Sequence, residues 1–103
     1  IQGCVPPLGS AVQVMSSSVD ALLDVANDVA SAALAAHPEA GVLLAFSCAA
    51  RALIFGGRVA EEPRRLQAVA GDLPTFGFYC CGEFARTAGV LGTHNATLTA
   101  LAL

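Results

Sequence analysis

The sequence predicts a small α/β domain with a mixed sheet, its elements in β-α-β-α-β-β order. Three observations lead there. One segment, residues 17–37, places Val19, Leu22, Leu23, Ala26, Ala30, Ala33 and Leu34 on one face at helical spacing, with Asp20, Asp24, Asn27, Asp28 and Ser31 opposite. The run Val42-Leu-Leu-Ala-Phe-Ser47 is apolar without alternation, the pattern of a strand covered on both sides. Two further strand-like runs, 75–80 and 95–103, are joined by a loop holding Gly82, Gly89 and Gly92.

Each element has a local reason. Residues 1–10, with Pro6, Pro7 and Gly9, form an irregular arm, and 11–103 make the domain. Residues 11–15 alternate as a short first strand. Ser17 can cap the following helix, with Asp20 three residues on completing a capping-box-like pair. His37 complements the helix C-terminus and Pro38 stops it. Residues 58–70 form a second helix, with Glu61 and Glu62 near its start and Gly71 just past its end. Gly77 inside the third strand marks close approach of another backbone or a ligand. Right-handed crossovers put both helices on one face of the sheet, and the last strand returns antiparallel at an edge. The opposite face is left bare.

Composition narrows the class. A chain of 103 residues is one domain at most, and 55% hydrophobic with 13% charged residues is greasy for that size. Together with a first residue that is Ile1 rather than Met, this leads us to expect part of a larger protein, with one face covered by another domain or subunit. The net charge is −3, there is no lysine, and Arg51, Arg58, Arg64, Arg65 and Arg86 make no basic stripe, so nucleic acid is not an expected partner. The longest apolar run falls well short of the ~20 residues a membrane helix needs, so no membrane insertion is expected. Cys4, Cys48, Cys80 and Cys81 lack framework spacing, which points away from a disulfide-stapled secreted domain and towards the cytoplasm. The sequon at Asn95-Ala96-Thr97 opens a strand and is discounted.

Ligands in such sheets bind beyond the carboxyl ends of parallel strands. That rule gathers Ser47, Cys48 and Arg51 with Cys80, Cys81, Gly82 and Glu83, and brings His94 back to the same end. Arg51 and Glu83 admit two readings. They can hold the two charged ends of a small zwitterion, or they can pair with each other or cap element ends. Cys48, Glu83 and His94 have the residue types of a nucleophile, an orienter and a base, but no strained elbow or oxyanion loop accompanies them. Buried cysteine is more often a small hydrophobe. Zinc on Cys48, Cys80 and His94 is chemically admissible, yet no Cys-x-x-Cys pair supports it. No cofactor, metal or catalytic residue is therefore expected.

The segments Gly41-Val-Leu-Leu-Ala-Phe-Ser-Cys-Ala-Ala-Arg51, Pro74-Thr-Phe-Gly-Phe-Tyr-Cys-Cys-Gly-Glu83 and His94-Asn-Ala-Thr-Leu-Thr-Ala-Leu-Ala-Leu103 together resemble the C-terminal half of the FIST family, whose name couples F-box proteins and intracellular signal transduction. The Ser-Cys-x-x-Arg and Gly-Glu motifs of that family correspond to Ser47, Cys48, Arg51, Gly82 and Glu83. Gln2-Gly-Cys-Val-Pro-Pro-Leu-Gly9 is similar to a stretch FIST proteins carry further ahead of the helix than here. The resemblance implies half of a two-part module that binds a small ligand, with an amino acid or related metabolite as the candidate, and relays occupancy to an attached signalling output. The expected site is Ser47, Cys48, Arg51, Cys80, Gly82, Glu83 and His94. The partners it implies are that ligand and the missing N-terminal FIST half or another subunit. The alternatives are a protein-interaction module of an F-box-type assembly and, behind it, a cysteine-dependent enzyme.

Overall fold

The computed structural model describes residues 5–82, 84–87 and 90–103. Among them the elements run α1 (Val19–Ala36), β1 (Leu43–Cys48), α2 (Ala49–Phe55), a 3-10 turn (Gly56–Arg58), α3 (Glu61–Ala70), β2 (Thr75–Cys80), β3 (Phe84–Thr87), β4 (Val90–Thr93) and β5 (Leu98–Ala102). The main sheet has three strands in the order β2-β1-β5, and β3 and β4 pair separately as an antiparallel hairpin. β1 runs parallel to β2, from Leu43 opposite Thr75 to Cys48 opposite Cys80. It runs antiparallel to β5, from Leu43 opposite Ala102 to Ser47 opposite Leu98. A parallel pair needs a long crossover, and α2, the 3-10 turn and α3 supply it. The α/β class and the mixed sheet with an antiparallel last strand stand as the sequence predicts.

The order of elements differs at the start. Residues 11–15 form no strand and are exposed; Val12 and Val14 alternate in sequence but have no strand beside them to pair with. The cap of α1 is Ser18, one residue beyond the predicted Ser17: its Oγ accepts the Ala21 backbone N–H at 3.1 Å. The second predicted helix, 58–70, is present as α3, which starts at Glu61, and an additional helix that the sequence reading did not predict, α2, begins straight after β1. At its end Gly71, with φ of 63°, takes the left-handed conformation expected of it.

The core lies between the sheet and α1 with α3. Ala26 and Ala30 of α1, Leu66 of α3, Leu43 and Ala45 of β1, and Leu98 and Ala102 of β5 form one cluster. Small residues on α1 let the helix lie close over the sheet, so large side chains such as Leu23 and Leu43 are fully buried. Each such leucine contributes about 2 kcal/mol. On the surface Arg58 bridges Glu61 at 2.7 Å and Asp20 at 2.9 Å, and Arg65 pairs with Asp24, so two arginines pin the crossover segment to α1. The Glu61 carboxyl is held below its usual range, mainly by the hydrogen bond from Arg58.

The other face of the sheet is open. On β2 Phe76 is 63% and Phe78 62% exposed, and at the opposite edge of the sheet Leu101 is exposed, as is Leu103 just after β5. Phe46 meets Phe78 edge to face, with ring centroids 5.3 Å apart. The period of two explains the division: Leu43 and Ala45 point into the core, whereas Leu44 and Phe46 point to the open side.

Gly77 settles its own ambiguity. A Cβ built there would lie 2.3 Å from the Ala45 carbonyl oxygen, so the close approach is that of β1. Gly77→Ala should therefore lower stability by about 1–3 kcal/mol, because strand backbone must shift to admit the methyl. Urea denaturation measures this, and an unchanged midpoint would mean that β2 does not sit this close to β1.

Candidate functional site

At the carboxyl end of β1 the chain passes from a strand directly into α2. Cys48 is the N-cap, and its Sγ accepts the Ala50 N–H at 3.4 Å. One turn on, Arg51 points back beneath the sheet and is 1% exposed. A buried guanidinium needs a carboxylate and full hydrogen bonding. Glu62 provides the charge: Arg51 Nε donates to its Oε1 at 2.7 Å, and Nη2 lies 2.5 Å from the same oxygen. Nη2 also donates to the Leu22 carbonyl of α1 at 2.7 Å, and Nη1 to the Ala96 carbonyl before β5 at 3.1 Å. The Phe55 ring lies under the guanidinium at 5.2 Å. Ser47 completes the group by donating from Oγ to Glu62 Oε2 at 2.7 Å.

Beside Glu62 a cavity of about 280 Å³ opens between α3 and β2. Ala45, Pro63, Leu66 and Leu98 give it an apolar wall; Ser47, Glu62, Gln67, Thr75 and Tyr79 bring polar atoms, and β2 forms its outer side. Such a volume suits a small organic molecule.

The predicted site residues divide accordingly. Ser47, Cys48, Arg51 and Cys80 do come to one end of the sheet: Cys48 faces Cys80 in register, and Cys80 Sγ donates to the Ser47 carbonyl at 3.5 Å. The segment carrying His94 returns to that end, where Cys48 N–H donates to the Thr97 carbonyl at 3.0 Å. Gly82 is exposed, with φ of 95°. Glu83 lies outside the described residues. Of the described residues of this set only Ser47 lines the cavity. Arg51 departs from its expected role as a grip on a ligand carboxylate, since the carboxylate it holds is Glu62 of its own chain. Among the described residues no three His, Cys, Asp or Glu side chains gather as a metal site.

Glu62 is the residue that sequence reasoning missed. Glu61 and Glu62 look alike in sequence as acids at a helix start, but successive helical residues point about 100° apart. Glu61 therefore meets Arg58 at the surface while Glu62 turns inward. An available signal was Arg51 itself, a lone cation in an apolar stretch that had to find a carboxylate.

Tyr79 reports on this environment. Partial burial pushes its phenol up to about 12, the Glu62 carboxylate adds to the rise, and the Arg51 guanidinium opposes it. With the folded value raised above the ordinary 10.0, the folded state keeps a proton that the unfolded chain loses. This contribution to stability is thus full below pH 10 and is lost as pH rises towards about 12. Tyr79 is the chain's single tyrosine and there is no tryptophan, so tyrosinate absorbance titrates it alone. A midpoint near 12 is expected, and an ordinary midpoint near 10 would place the phenol in open solvent away from Glu62.

Comparison with known proteins gives one finding. A family model for the FIST C domain matches residues 2–86, which takes in the N-terminal arm, α1, β1 and the crossover, and ends within the β3–β4 hairpin. No curated protein and no solved structure matches the chain. The match covers most of the sequence, including Leu22, Ser47, Arg51 and Glu62 of the buried group: the chain belongs to the FIST C-domain family, a family of signal-transduction sensory domains.

Proposed function

We propose that this domain senses a small molecule held in the cavity between α3 and β2 and relays its occupancy to an attached signalling output. The observation that carries the reading is that the cavity shares Ser47 and Glu62 with the Arg51 group. Through Arg51 those side chains are tied to the Leu22 carbonyl of α1 and the Ala96 carbonyl ahead of β5. A ligand that moves Glu62 shifts hydrogen bonds on four elements at once, which is the local requirement for a relay.

The role proposed is non-catalytic. The Cys48 thiol is buried and engaged in capping α2, an arrangement that suits structure better than nucleophilic attack. A cytoplasmic location is consistent with the free thiols of Cys48, Cys80 and Cys81, and among the described residues no helix is long and apolar enough to cross a membrane. The second reading, a protein-interaction module, draws on the open face with Phe76, Phe78 and Leu101. The N-terminal half of a FIST module or another subunit is the partner proposed for that face.

A thermal-shift screen with metabolites, followed by Tyr79 fluorescence, tests the first reading. A ligand at a hundred times its dissociation constant adds about 2.7 kcal/mol of stability. Cys48→Ala should leave its affinity within a few-fold. If no compound moves either signal while an added N-terminal FIST half raises the melting temperature, the interaction reading replaces the sensory one.

A further inference from the structure

Given a ligand in the cavity, the charges and hydrogen bonds around it restrict what that ligand is. Among the described lining residues the only ionisable side chains are Glu62 and Tyr79. The Glu62 charge is already balanced by Arg51, whose Nε, Nη1 and Nη2 are all engaged within the fold. An entering carboxylate would lose its hydration and face Glu62 with no uncommitted cation on the wall. An ammonium group would have to displace a guanidinium that holds Glu62 through two nitrogens. Neither end of a zwitterion finds a partner.

The polar groups add a second restriction. Side-chain donors on the wall are occupied: Ser47 and the Tyr79 phenol donate to Glu62, Thr75 to the Leu73 carbonyl, and the Gln67 amide to the Gly71 and Leu73 carbonyls. What remains is acceptor capacity. Glu62 is filled, taking two hydrogen bonds from Arg51, one from Ser47 and one from the Tyr79 phenol, so the Gln67 carbonyl is the side-chain acceptor left on the wall. β2 is an edge strand of the main sheet, so its outward backbone groups offer both N–H and C=O along the same wall.

We infer that the cavity takes a small uncharged molecule with an apolar body and a hydrogen-bond donor, a primary carboxamide being the simplest fit. This rests on the cavity being the ligand site, as proposed above. The amide N–H meets the Gln67 carbonyl, its own carbonyl meets an edge N–H of β2, and the hydrocarbon lies on Leu66 and Leu98.

A matched set separates the possibilities: isobutyramide, isobutyrate, isobutylammonium and valine carry nearly the same hydrocarbon with different charge. Binding to the full chain is read by Tyr79 fluorescence and by melting temperature. Isobutyramide should bind about tenfold or more tightly than each charged analogue. In Pro63→Phe, a change at an exposed position of the cavity wall, the isobutyramide response should fall by a similar factor while the ligand-free melting temperature holds. A charged analogue binding as tightly as isobutyramide overturns the inference and leaves the cavity reading intact. A full response in Pro63→Phe places binding elsewhere and overturns it too. No response to any of the four, up to their solubility limits, removes the cavity reading itself and the inference with it.

Discussion

A positive charge with no water around it has to be paired, and this fold is arranged to pair Arg51. Moving a guanidinium and a carboxylate out of water costs several kcal/mol for each ion, a cost that close geometry and complete hydrogen bonding must offset. Here both conditions are met: among the described residues no buried side-chain nitrogen or oxygen lacks a partner. The group draws in Glu62 from α3, Ser47 from β1, the Leu22 carbonyl from α1 and the Ala96 carbonyl ahead of β5. Ala96 has φ of 58°, a left-handed conformation that costs an alanine roughly 1–2 kcal/mol, and its carbonyl receives the Arg51 Nη1–H. Apolar packing drives these elements together, but it does not set their mutual position as sharply as one group with directional bonds to all of them.

That arrangement connects stability with sensing. The hydrophobic cluster lies around Ala26, Ala30, Leu43 and Leu66, away from the open face. The cavity meets the buried ion pair at Glu62 and runs out along β2 to solvent. A ligand there touches both the polar group that orients the elements and the edge of the apolar core, since Ala45, Leu66 and Leu98 belong to the cluster and also line the cavity. The directional bonds of Arg51 then carry a perturbation at Glu62 to α1 and to the approach of β5.

The main elements are legible in the sequence because each carries its own local signal. The helical spacing of Leu23, Ala26 and Ala30 gives α1, the unbroken run around Leu43 gives β1, and glycine at position 71 ends α3. The errors have physical causes of another kind. Val12 and Val14 alternate like a strand, but a strand exists only with a partner, which no local pattern supplies. The Ala49–Phe55 helix hides in an apolar stretch whose helical face shows only once Arg51 has somewhere to point. At the site, the sequence brings Ser47, Cys48, Arg51 and Cys80 to one end of the sheet but leaves open whether Arg51 faces outward or inward. That choice is fixed by Glu62, which is eleven residues away in the chain.

The coupling between Arg51 and Glu62 holds these elements in register, and a double-mutant cycle with Arg51→Met and Glu62→Leu measures it most directly. Each single change leaves an uncompensated buried charge and should cost about 3–5 kcal/mol, enough to abolish cooperative unfolding in a small domain. The double change removes both charges together and should recover a cooperative transition in urea, with a coupling of several kcal/mol. Two single variants that stay folded, with losses that add to within about 0.5 kcal/mol in the double, would contradict it. The orientation of α1, α3 and the β5 approach would then have to come from apolar packing alone.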